Sequence, residues 1–222
     1  MGNLRIQFDE KEALRYFGAR PGDEQAKVTV DRAFLQLRNE VQPRNVIQQW
    51  SCRVILEEGT EFVSSGLARH LEGCDTLLLF GATLGARVDT ALRRISIRSI
   101  AEGAAAQAVA ASLIESYLDQ QEVLWKQDLP DTWQYRSRFS RGYGDWDLTE
   151  QQKIFRLLNC PKTIGLTLTA GGIMAPTKSV TAVIGIDRSG KKPAEPETSR
   201  CGKKSKCAAC GNVDCPFRQE EL

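Results

Sequence analysis

The chain has 222 residues, with 30 Lys+Arg against 28 Asp+Glu and 41% hydrophobic residues. That length supports one or two domains with a real core, and the nearly balanced charge leaves no strong bias toward nucleic acid or a membrane surface. A single histidine, His70, excludes an HExxH zinc site and leaves a Ser-His-Asp triad only one imidazole to use.

The first residues, MGNLRIQFDEKEALRYFG, carry charge early and no apolar run ahead of a cleavage site, so they do not read as a secretory signal. The longest apolar stretch, around Thr76–Ala86, is far shorter than the roughly 20 residues of a membrane span. We therefore expect a cytoplasmic protein without membrane contact. Asp9 to Phe17 reads as a helix with Asp9 at its cap and Gly18 as its stop. Pro21-Gly22-Asp23 opens a second helix, in which Val28, Val30, Ala33, Phe34, Leu37 and Val41 recur mainly at steps of three and four before Pro43 ends it. The β-branched and aromatic run from Val46 to Ile55, the turn-like Glu57-Glu58-Gly59 and the stretch to Ser65 predict a hairpin.

Ser64 or Ser65 caps a short helix reaching Leu71–Gly73. Asp75-TLLLFGAT-Leu84 has the continuous apolar character of a central strand buried on both faces. Two helical segments follow, one from Ala86 and one from Ile97. The second carries Ala104, Ala105, Ala106, Ala108, Ala110 and Ala111, and the small side chains suit a central core helix. Beyond Pro130 comes an aromatic, Arg-rich, Gly-containing loop, then an amphipathic helix from Thr149 to about Asn159 with Thr149 and Glu150 at its capped start. Two strand-like segments, Thr163–Ala170 and Ser179–Asp187, flank Gly171–Lys178, and residues 188–206 read as an exposed linker. The expected class is α+β: a twisted, mainly antiparallel sheet packed by helices over residues 1–187, with a linker and four-cysteine tail over 188–222.

Four of the seven cysteines, Cys201, Cys207, Cys210 and Cys215, form a C-x5-C-x2-C-x4-C array. Four thiolates that close together, with Gly202 and Gly211 between them, suit one zinc ion or an iron–sulfur cluster, and spacing alone does not separate the two; a redox dithiol pair and an inert tail are the other readings. Cys52, Cys74 and Cys160 lie in apolar segments and read as buried small hydrophobes. Gly172-IMAPT-Lys178-Ser179 resembles a phosphate-binding G-x4-G-K-S loop but places Thr177 at the second glycine and a strand where a helix is required. Gly81-ATL-Gly85 reads more simply as a tight strand-to-helix turn. His70 reads as a surface or structurally hydrogen-bonded residue. Arg138, followed by Phe139, Gly142, Tyr143 and Trp146, supplies a planar cationic fork beside aromatic faces. That combination suits a small metabolite with a carboxylate, an adenine and a sulfonium.

Arg138-x3-Gly142-Tyr143 before an amphipathic helix, then Ile164-GLTL-Thr169, Met174-x-Pro176 and Lys178-SVTAVI-Gly185, resembles the S-adenosylmethionine-binding activation domain of cobalamin-dependent methionine synthase. More closely, it is similar to stand-alone bacterial proteins built around that domain. Glu12-ALRYFG, Ala68-RHLEGCDTLLLFGATLGARVD, the Ala-rich helix and the Cys-rich tail fall in the matching order. The resemblance implies a protein that brings S-adenosylmethionine to a cobalamin oxidised to inactive cob(II)alamin, with a flavodoxin-like or ferredoxin-like donor supplying one electron so that methyl transfer regenerates methylcobalamin. It assigns Arg138 to the ligand carboxylate, Gly142 to the shape of the loop and Tyr143 to the methyl-transfer side. An aromatic pair of the family falls here at about Ile184 and Gly185. The chain lacks the Asp-x-His-x2-Gly motif that ligates cobalt, so cobalamin is expected on a partner, a cobalamin-dependent methionine synthase or another corrinoid protein. Two other classes remain open: an iron–sulfur or redox relay for a corrinoid partner, and an interaction module of the same fold that binds no ligand.

Overall fold

A computed structural model describes residues 6–53, 62, 64–127, 129–140 and 150–189. The Cys-rich tail, Gly142, Tyr143 and the linker from residue 190 onward therefore lie outside the described residues, as do residues 54–61, which hold the expected hairpin turn.

Helix α1 (Glu10–Phe17) begins where the Asp9 side chain accepts the Glu12 N–H and ends at Gly18, which takes the left-handed conformation at φ 78°. Helix α2 (Glu24–Leu37) is capped in the same way by Asp23. It stops six residues short of Pro43, and Val28, expected on its apolar face, is 49% exposed while Val30, Ala33 and Leu37 are buried. Strand β1 (Arg44–Ser51) leads toward α3 (Ser65–His70), whose Leu67 N–H is capped by Ser64 Oγ at 2.9 Å. Next come β2 (Thr76–Thr83), α4 (Ala86–Arg98) and α5 (Ile100–Gln127). Ser99, extended at φ −155°, separates α4 from α5 and offers its Oγ to the Glu102 N–H at 3.3 Å. The break thus falls at Ser99 rather than before Ile97.

Strands β3 (Gln134–Tyr135) and β4 (Phe139–Ser140) are followed by α6 (Gln151–Leu158), α7 (Cys160–Thr163), β5 (Thr167–Leu168), β6 (Met174–Ala175) and β7 (Ser179–Asp187). The main sheet is antiparallel in the order β1-β2-β7-β3, with β4 also pairing β7. β1 pairs along its whole length with β2, Arg44 opposite Thr83 and Ser51 opposite Thr76, while the turn and most of the second arm of the expected hairpin lie outside the described residues. The strand expected over Thr163–Ala170 is also shorter. Its first residue closes α7, Gly165 turns the chain at φ 70°, and only Thr167–Leu168 pairs, with β6. At the start of α6, Glu150 has helical backbone angles and makes no side-chain cap bond, and Thr149, the other residue of the expected cap, lies outside the described residues.

The pleat of β2 and β7 sorts the core into two layers. Leu78, Phe80, Ala82, Ala182, Ile184 and Ile186 face α1, α2, α4 and α5, whereas Leu77, Leu79 and Val183 face α3, α6 and α7. Every residue of β2 is buried, as its unbroken apolar run predicts. The Ala-rich face of α5 lets α1, α2 and α4 pack around it, with Ala105, Ala106 and Ala110 wholly inaccessible. The expected α+β class, a mainly antiparallel sheet packed by helices, is the observed one.

Candidate functional site

Arg138 sits between β3 and β4 on the edge of the main sheet, where Arg136 N donates to Gly185 O at 2.9 Å and Phe139 lies opposite Val183 on β7. Side chains alternate across such a segment. Phe139 therefore packs on the α3/α6 layer, and Arg138 projects the other way, onto α5. Its guanidinium meets three carboxylates: Nη1 reaches Asp119 Oδ1 at 2.7 Å and Glu122 Oε2 at 3.2 Å, and Nη2 reaches Glu115 Oε2 at 3.1 Å. Glu115, Asp119 and Glu122 are spaced i, i+4, i+7, so α5 presents them as one stripe.

One guanidinium does not neutralise three carboxylates. Burial works against the Arg138 charge, but Asp119, Glu115 and Glu122 outweigh it and hold the group above its ordinary range. Glu115 moves the opposite way from a simple ion-pair partner. Burial raises its carboxyl, Arg138 pulls it down and Asp119 pushes it up again, leaving it above the usual carboxylate value. The two shifts are compatible because the cation is shared while each acid feels the others. The acidic stripe continues to α1, where Glu12 accepts from Arg15 Nη2 at 3.0 Å and from Tyr16 Oη at 3.2 Å. Burial raises Glu12, and the Glu115 charge adds to that; burial is also the main reason the Tyr16 phenol is raised. At the other end, Lys126 pairs with Glu122 and lies over the Tyr135 ring at 4.8 Å.

The site thus joins a cationic fork to an acidic helix face, a donor set that matches the opposite charges of an amino-acid zwitterion. Sequence reasoning found the Arg138 fork but not its acidic partners. Their signal was present as the i, i+4, i+7 spacing inside a helix read mainly for its alanines.

His70 ends α3 beneath this segment, with Nε2 2.9 Å from Ser137 O and its ring stacked on Phe139 at 4.7 Å. This fits the expected structural hydrogen bond. Ile184 is fully buried in the helical layer, and the space beyond Gly185 is filled: an added Cβ would lie 2.8 Å from both Cys74 Sγ and Leu71 Cδ2. Neither position offers a side chain to a ligand. Cys52 and Cys160 are buried, and burial pushes both thiols up to about 12, which leaves them protonated and inert. Cys74 is half-buried, and its thiol is also raised by burial. Strand β7 begins directly after Lys178, so no helix follows the Gly172–Ser179 segment to face a phosphate. Among the described residues no group of three or more His, Cys, Asp or Glu is arranged to hold a metal ion, and no helix is long and apolar enough to cross a membrane.

Residues 92–192 match the family described as vitamin B12 dependent methionine synthase, activation domain. The chain resembles that activation domain. The match runs from within α4 past the end of β7 and so includes Arg138, its acidic partners and β7. A crystal structure of the MetH reactivation domain bound to AdoHcy has the same fold, with a TM-score of 0.58 and 19% sequence identity over 81% of this chain and 71% of that one. No curated protein matches the chain in sequence.

Proposed function

We propose that this activation-domain-like chain binds S-adenosylmethionine and acts in trans as the activation subunit of a cobalamin-dependent methionine synthase or another corrinoid protein. Arg138 carries the reading. It is a half-buried cation at the edge of the sheet, within the family match, opposite carboxylates that suit an ammonium. In this reading the guanidinium takes the ligand carboxylate, the Glu115–Asp119–Glu122 face takes its cationic amine, and Gly142 and Tyr143 shape the loop beside the methyl group. Bound S-adenosylmethionine supplies a methyl group on an already cationic sulfur that leaves as a neutral thioether. The chain therefore needs no general acid or base, and its contribution is positioning. The AdoHcy in the similar solved structure supports the ligand class.

The cobalamin belongs to the partner in this proposal, a flavodoxin-like or ferredoxin-like protein supplies the electron, and the cytoplasm is the setting. Cys201, Cys207, Cys210 and Cys215 are proposed as ligands to zinc or an iron–sulfur cluster, which metal analysis and visible absorption after anaerobic purification distinguish. The deciding experiment is calorimetric titration of the full chain with S-adenosylmethionine and S-adenosylhomocysteine. Arg138→Ala is expected to weaken binding by about tenfold or more, the scale of a lost charge-assisted bond. Arg138→Lys, which keeps the charge opposite the acids but not the fork, should fall between. Absence of binding by the wild type, or unchanged affinity in folded Arg138→Ala, overturns the reading.

A further inference from the structure

We infer that His70 is a positioning residue for Arg138, acting through the backbone from the opposite face of the sheet. The inference rests on the reading of Arg138 as a ligand-binding group.

A carbonyl oxygen only accepts, so the 2.9 Å contact between His70 Nε2 and Ser137 O requires the proton on Nε2, with the imidazole donating. The same ring stacks on Phe139 at 4.7 Å and an interplanar angle of 27°. His70 therefore grips the residue before Arg138 by a hydrogen bond and the residue after it by a ring contact. Between these two fixed neighbours, Arg138 leaves the backbone on the other side and reaches α5.

The grip has a rigid base. Helix α3 is held in the lower core by Leu67 and, just past its end, Leu71, both essentially inaccessible, and its start is capped by Ser64. A second tie runs parallel to the first, since Arg136 Nη2 donates to Glu72 O at 2.8 Å, two residues beyond His70. Strands β3 and β4 contribute only two residues each to the ladder, and between them Arg136 N bonds to Gly185 O, so beyond that backbone bond side-chain ties such as these hold the stretch leading to Arg138. Of the groups making them, only His70 touches both neighbours of Arg138 among the contacts described.

The test separates hydrogen bond, stacking and ligand binding. His70→Phe keeps a ring for Phe139 and removes the donor; His70→Gln keeps a donor at comparable reach and loses the ring. Two readouts are taken on the full chain: S-adenosylmethionine affinity by calorimetry, and the side-chain Nε–H signal of Arg138 in 15N-arginine spectra without ligand, assigned with Arg138→Lys. His70→Phe is expected to shift or broaden the Arg138 signal and to weaken binding about three- to tenfold, with a melting temperature close to wild type. His70→Gln is expected to restore most of both. An unchanged Arg138 signal in His70→Phe overturns the inference, as do equal losses in the two variants, which would mark a packing role only. If the wild type does not bind S-adenosylmethionine, the proposed function fails, while the ligand-free Arg138 signal still decides the role of His70.

Discussion

Glu115 shows how the site balances burial against pairing. An ordinary carboxyl titrates near 4.5, and burial here raises that value despite the Arg138 partner 3.1 Å away. A raised acid favours the folded state most when protonated. Its contribution is therefore complete at low pH and is lost as pH rises through the elevated folded value. Glu12 shifts in the same direction, also chiefly through burial. Glu115→Gln imitates the protonated form at every pH. Thermal unfolding across pH 4 to 8 should show the wild type and Glu115→Gln closest at the acid end, with the variant gaining on the wild type toward neutrality. A wild type that gains on the variant as pH rises would mean that pairing with Arg138 outweighs desolvation.

At the scale of elements, the corner between α4 and α5 is held by Gly103. A Cβ there would stand 2.9 Å from Ser96 Cα and 2.6 Å from Ser96 Oγ, and the glycine lies inside α5 with ordinary helical geometry. Helix propensity alone predicts that Gly103→Ala stabilises by roughly 0.5–1 kcal/mol. The contact with backbone reverses the sign, because overpacking against an atom that cannot rotate away costs about 1–3 kcal/mol. Differential scanning calorimetry should therefore record a melting temperature several degrees lower for Gly103→Ala. Adding Ser96→Ala should recover only part of the loss, since Cα and Cβ remain; a Gly103→Ala protein that melts higher than wild type would show that the corner is not tight. Elements of this kind were legible where the signal is local. Asp9, Gly18, Asp23 and Ser64 mark helix ends because capping is decided within three or four residues. The long apolar strand β2 and the core helix α5 were equally readable from burial pattern. What escaped was non-local. The partner of β1 lies 25 or more residues ahead, and β3 to β6 are two-residue pairings that no periodicity reveals. The acids facing Arg138 stayed unrecognised for a related reason, because their meaning depends on a residue from another element.

For the whole molecule, the decisive fact is that β7, the last strand among the described residues, is not at the edge. β7 lies between β2 on one side and β3 and β4 on the other, so residues 179–187 join the N-terminal half of the chain to the segment carrying Arg138. The family match covers β7 and Arg138 but not β1 or β2, whose apolar ladder completes the sheet from outside it. Folding therefore depends on contacts between distant parts of the sequence. A chain cut after Lys178 would leave β2 with one partner and an apolar edge of unpaired backbone groups, a template for association. A chain cut after Arg188 keeps the whole ladder, together with the Arg188 bond to Asp75 at 2.8 Å and the position of Arg188 over Trp133 at 5.7 Å. Residues 1–188 should show one cooperative thermal transition near that of the full chain, whereas residues 1–178 should show none and should aggregate in sedimentation. A cooperative transition in the shorter chain would mean that β2 and the helical layer form a core without β7. In that case Arg138 would lose its sheet while its α5 partners stayed folded, and the site would have to be assembled late by docking of β7 onto a preformed core.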